Sequence, residues 1–204
     1  RGEGGIHWDQ SSSNSNSNKK DKDVFAVFPE ESDDGIVLRD SKEWVRRLVA
    51  DFAVCPFTMT PDRAGIPQAS VRYMISRADT TEEAFLRYWQ EIQALLQAKE
   101  TEISTSLLVF PDKSLFGNYE VFETFCECLS DALCDSTLGL ERTFQLVFFH
   151  PEYRFRDGHA RLGDEKGAAN YARRSPWPMV NILRTSQVRV AQRGVPTAQV
   201  YQQN

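Results

Sequence analysis

The chain is poor in the residues that most often carry chemistry: three histidines and four cysteines in 204 residues. Cys55, Cys126, Cys128 and Cys134 form no evident disulfide framework, which favours a reducing compartment. Cys126 and Cys128 fall two apart in a predicted helix and so point about 200° away from each other. They cannot share one ion, and the histidines show no zinc spacing. No metal site and no cofactor is expected. No apolar run approaches the roughly 18 residues of a membrane span. Positive charge is not in excess: the net charge is −5, with both signs interspersed. That excludes a nucleic-acid binder working through a bulk basic surface. Also missing are the dinucleotide-binding glycine fingerprint, the P-loop, the HExxH zinc motif and the GxSxG nucleophile elbow.

What is present is alternating secondary structure behind a low-complexity arm. Residues 11–18 read SSSNSNSN and lead into Lys19-Lys20-Asp21-Lys22-Asp23. Such a segment cannot bury a core of its own, so it is expected to be ordered by a partner. A chain that starts at Arg1 rather than Met is expected to have lost a leader, a transit peptide being one kind. Residues 1–38 therefore read as an extended arm, with Val24–Phe28 as an edge strand or docking segment and Trp8, Phe25 and Phe28 as its docking side chains. Residues 39–204 read as one α/β domain with an extended C-terminal tail.

Within that domain, Trp44, Val45, Leu48, Val49 and Phe52 predict a helix over 40–54, with Asp40 and Glu43 as its capping box. Strands are expected at 70–77, 103–110 and 142–149, and helices at 80–98 and 118–135. Ser175 with Pro176 reads as the N-cap and first position of a last helix running to about Arg193. The expected architecture is a two- or three-layer α/β sandwich. Its β-α-β-α-β core carries a mainly parallel sheet of three to four strands. The apolar strand Phe144–Phe149 is expected at the centre, covered on both faces.

The functional end of that sheet should lie where this strand exits, in His150-Pro151-Glu152-Tyr153 and Asn170 to Pro178. His150 is a candidate general base or ligand. Arg173 and Arg174 before the Ser175 helix would form an anion site, with His150 and Tyr153 beside it. The alternative is that the arginines pair with Glu152 or Asp164. Cys55 is a weaker catalytic candidate, because the C-terminal end of a helix disfavours a thiolate.

Several segments together resemble the bacterial and plastid domain-of-unknown-function family fourteen-fifteen. They are Trp44-Val45-Arg46-Arg47 through Cys55-Pro56-Phe57, Val71-Arg72-Tyr73, Thr105 to Pro111, Phe144 to Tyr153, and Asn170 to Met179. The resemblance spans about residues 41–200 and implies the fold and a core site, not a reaction. The family pattern carries a His where this chain has Asn181, and the loop between Tyr153 and Asn170 is longer here. With the missing motifs and the arm, this points to a non-catalytic accessory subunit or assembly factor among the protein subunits of a larger organellar complex. The stromal side of a thylakoid photosystem is the first expectation, and a mitochondrial complex the second. The rival is a small soluble enzyme or anion-binding protein. It would need His150, Arg173, Arg174 and Cys55 to converge on one pocket.

Overall fold

The computed structural model describes residues 33–51, 55, 57–135, 137–155 and 168–192. The first helix, α1 (Asp33–Trp44), opens with Asp33 and Asp34 in its first turn, where carboxylates face the positive end of the helix dipole. The helix thus starts before residue 40, and Asp40 lies inside it rather than at its cap. Helical chain continues as a π-helical turn over Val45–Asp51. Side-chain packing, not the Asp40–Glu43 pair, sets this register: Val37, Trp44 and Val45 are all buried in one cluster.

A short hairpin follows, β1 (Thr58–Thr60) and β2 (Arg63–Ala64), leading into β3 (Ala69–Ile75). Helix α2 (Thr81–Gln97) is capped by Thr80, whose side chain accepts the Glu83 N–H. Its buried face is Ala84, Tyr88, Glu91, Ile92 and Leu95. Then come β4 (Ile103–Val109), the single turn α3 (Lys113–Phe116) and α4 (Tyr119–Leu133), which Asn118 caps. A 3₁₀ turn at Leu140–Arg142 precedes β5 (Phe144–Phe149). The last described elements are α5 (Ala168–Tyr171), β6 (Met179–Arg184) and α6 (Thr185–Gln192).

The fold is α/β as expected, but the sheet is mixed, not mainly parallel. Its six strands run in the order β1-β2-β3-β4-β6-β5. β3 and β4 are parallel, while β6 lies antiparallel between β4 and β5. Residues 179–184 are therefore a strand, and the expected helix from Ser175 shrinks to α6. The cause is local and global together. Pro176 and Pro178 push the residues before them, Ser175 and Trp177, towards extended conformation, so the chain enters the sheet straight. Met179, Val180 and Ile182 are then fully buried, each gaining about 1.5–3 kcal/mol over an exposed position. The strand Phe144–Phe149 is correspondingly displaced from the expected centre to the edge, and its four middle residues are only half-buried.

Helices α2 and α4 cover one face of the sheet. α1, the π-turn and α6 cover the other. Two polar devices hold the first face. Arg184 is buried and donates to the carbonyls of Ile103 (3.0 Å), Leu95 (2.6 Å) and Ala98 (2.9 Å). It thereby satisfies the open C-terminal carbonyls of α2 from a strand far away in sequence. Glu91 on α2 receives Arg72 Nε at 2.9 Å and the Ser106 hydroxyl, an ion pair closed off beneath the helix.

At the hairpin, Gly65 adopts φ +88°, and a Cβ there would collide with the buried Gln187 side chain on α6. Gly65→Ala should therefore cost about 2 kcal/mol or more. Thermal unfolding checks this, and an unchanged Tm would contradict the packing of the hairpin on α6.

Candidate functional site

β3, β4 and β5 all end on the same side of the sheet, and β6 begins there. The loop after β5 therefore leaves and returns at one end. Backbone bonds fix the joint: Ser76 N–H donates to Val109 O at 2.8 Å, and Phe110 N–H to Pro178 O at 2.9 Å. An ion pair between Arg77 and Asp34 ties the start of α1 to the same end.

His150 is 1% exposed. The Glu152 N–H donates to its Nδ1 at 3.0 Å, so Nε2 carries the proton and donates it to Phe116 O at 2.8 Å. Its own backbone N–H donates to Arg173 O at 3.2 Å. The ring lies between Tyr119 and Phe122, each with its centroid 5.3 Å away. Burial pushes the imidazole below its ordinary value of 6.5, although the Phe116 carbonyl and Glu152 pull the other way. Both ring nitrogens are thus spent on the backbone, joining the 150–152 turn to Phe116, while the backbone N–H adds Arg173. In this arrangement the side chain offers no lone pair to a substrate.

Around His150 the aromatic residues form a corner. Tyr119 and Tyr153 lie 5.7 Å apart, and Tyr153 and Phe155 5.0 Å apart, each edge to face. The Tyr119 hydroxyl donates to Arg154 O at 2.9 Å; burial, with the Glu123 carboxylate adding to it, pushes its pKa up to about 12. Arg173 places its guanidinium 5.6 Å from the ring centres of both Tyr153 and Phe155. Arg174 stacks on Tyr171 at 4.4 Å and reaches Tyr153 O at 3.4 Å. The Arg174 carbonyl in turn accepts the Trp44 indole N–H at 2.7 Å.

The two cations thus face aromatic rings, and among the described residues neither pairs with a carboxylate. Glu152 is therefore not their partner, and Asp164 lies outside the described residues. Ser175 is buried, and its hydroxyl donates to Trp177 O. It caps no helix, so the free N–H groups and positive dipole on which the anion site depended are absent at this position.

A cavity of about 810 Å³ opens beside this corner. Among the described residues it is lined by Tyr119 and Phe155 and by the charged side chains Glu120, Glu152 and Arg154, not by His150. Two carboxylates to one guanidinium make a lining of mixed charge.

Cys55 is elsewhere. It is half-buried and packs with Phe57, Ala64, Leu183 and Val188, on the sheet face opposite α4. His150 belongs to the α4 face, so the sheet separates the two. Asn181 is on the same face as Cys55, between Leu107 and Val147 in register. Its Oδ1 lies 2.6 Å from Thr105 Oγ1. Cys126 is buried on α4 while Cys128 and Cys134 are exposed. Among the described residues no group of three or more His, Cys, Asp or Glu side chains is arranged to hold a metal ion. Trp8, Phe25 and Phe28 lie outside the described residues.

Tyr119, Trp44 and Phe116 build this end of the sheet and were not apparent as site residues in the sequence. The only signal near Tyr119 is the preceding Asn118, which reads as a helix cap.

The family described as protein of unknown function (DUF1415) matches residues 37–204. No curated protein and no solved structure matches the chain.

A depressed His150 pKa means that the unfolded chain takes up a proton before the native one does. Stability should be full above about pH 6.5 and fall as the pH drops below it, towards the lower native pKa. Urea unfolding between pH 8 and pH 5 should show this slope, and His150→Gln should start less stable but show a flatter slope. Equal slopes would contradict the buried neutral imidazole.

Proposed function

The chain belongs to the family of proteins of unknown function DUF1415, and we propose that it acts by binding, as a non-catalytic accessory subunit or assembly factor of a larger protein complex. One observation carries this reading. His150, Arg173, Arg174 and Ser175 of the signature stretch are engaged by the fold itself, while Glu152 lines the cavity. His150 bonds backbone with both ring nitrogens, Ser175 bonds Trp177 O, and both arginines stack on aromatic rings. A catalytic end of a sheet keeps such groups facing a cavity, with their protons available.

The finer form of the proposal is docking on the stromal side of a thylakoid photosystem, with a mitochondrial complex second. It draws on the plastid occurrence of the family. A peripheral position is compatible with the helices: among the described residues none is long and apolar enough to cross a membrane. Trp8, Phe25 and Phe28 remain the docking side chains of the proposed arm.

A second reading, a small-ligand protein, is favoured by the cavity beside Tyr119 alone. Its Glu120, Glu152 and Arg154 lining suits a ligand bearing an ammonium or guanidinium better than the simple anion first expected.

Native fractionation of plastid membranes tests the accessory-subunit reading. The full chain should migrate with photosystem subunits, and the full chain carrying Trp8→Ala, Phe25→Ala and Phe28→Ala should shift to the free fraction. Recovery of the unaltered chain only as free protein, from plastid and mitochondrial extracts alike, would overturn it.

A further inference from the structure

The two edges of the sheet are built differently. The β1 edge is three residues long and interrupted by a register shift. That is how proteins blunt an edge against unwanted pairing. The β5 edge has none of these protections. Phe144-Gln145-Leu146-Val147-Phe148-Phe149 is uncharged, contains no proline and runs in unbroken register against β6. Among the described residues no strand pairs with its other side. An uncharged edge of this length in unbroken register is either a liability or a template for another strand.

A groove of about 280 Å³ runs beside that edge, between β5 and α4. Its floor is apolar: Phe122 and Cys126 from α4, Phe148 from β5, and Tyr153. Its rim carries Glu127 and Asp131, four apart and so on one side of α4. Both are exposed and, among the described residues, neither is in an ion pair. Edge, floor and rim thus present three complementary demands to one occupant. The edge asks for extended backbone, and because floor and rim both lie on the α4 face, the apolar and cationic side chains that meet them stand on one face of that strand, at every second position.

We infer that the β5 edge and the α4 groove form a docking site for an extended segment of a partner protein whose α4-facing side chains, at every second position, are basic and apolar in turn. The segment adds to the sheet as a strand beside β5. Its backbone completes the open ladder, its apolar side chains settle over Phe148 and Phe122, and its Lys or Arg side chains reach Glu127 and Asp131. This rests on the binding reading above and names the surface through which it works.

The probe is a short fluorescent peptide in which every second residue is lysine or valine in turn, with threonine between them, measured by anisotropy against the full chain. A glutamate–valine peptide serves as control. The lysine peptide should bind, should weaken as salt is raised, and should lose about tenfold or more in affinity on Glu127→Lys with Asp131→Lys. That exposed double variant should fold normally and should now favour the glutamate peptide. Leu146→Pro, which removes one edge N–H, should weaken both peptides, and circular dichroism confirms that this variant is folded.

Three results would overturn the inference. One is absence of binding. Another is equal binding to the charge-reversed chain. The third is binding that appears only after Lys19, Lys20 and Lys22 are changed to Glu, because then the chain's own basic run is the occupant. Failure of the broader reading is separate. If the charge-reversed chain loses the peptide but still migrates with its complex, the groove is not the docking surface and the binding reading stands. If the peptide binds while the chain migrates free, the groove stands and the accessory-subunit reading falls.

Discussion

One strand running backwards determines how this domain is joined. β6 enters between β4 and β5 and bonds to both, so β5 is attached to the sheet only through it. Its residues are buried on both faces, and Arg184 at its end closes α2. Without β6 the parallel pair β3–β4 would lose its central neighbour, and the C-terminal carbonyls of α2 would lose their donor. An antiparallel insertion also dictates geometry. The chain must leave β5 and start β6 at the same end of the sheet, so His150 and Pro178 open and close one excursion there.

His150 fastens that excursion. Its ring joins Phe116 O to the Glu152 N–H, and its backbone holds Arg173. Tyr119 and Phe122 of α4 enclose the ring, and Trp44 of α1 bonds Arg174 O from the opposite layer. A neutral imidazole suits this role because it donates from one nitrogen and accepts at the other, fixing two loops at a defined spacing. The same commitment withdraws it from acid–base chemistry. Sequence marks that suggest a reactive end of a sheet here serve to close one.

How much of this was readable in the residues depended on the range of the interaction that decides each element. α2 and α4 follow from local signals: Thr80 or Asn118 at the start, then a 3.6-residue apolar stripe. Even there Leu96 is exposed, and the buried face of α2 is Ala84, Tyr88, Glu91, Ile92 and Leu95. β6 was the main misreading. Ser-Pro matches a helix start, and a six-residue segment with four apolar residues fits a buried strand or a buried helix equally well. The second proline and the two flanking strands decide it, and only the first of these is visible in the sequence. Cys55 and His150 each sit beside a marked motif. That they occupy opposite faces of the sheet follows from the strand order, which no spacing along the chain encodes. The roles of Arg184 and of His150 Nε2 likewise depend on partners 34 or more residues away.

The functional account depends on that change of meaning. If the signature stretch is structural, function falls to the surfaces the fold leaves open, the β5 edge foremost. The most direct measurement is a long-range ¹H–¹⁵N correlation spectrum of the histidine ring nitrogens in the full chain, recorded as the pH is lowered. The account predicts that His150 remains the neutral tautomer protonated at Nε2, with no titration near pH 6.5 while the protein is folded. A ring that titrates at its ordinary value in the native protein, or that carries its proton on Nδ1, would contradict it and return His150 to the list of catalytic candidates.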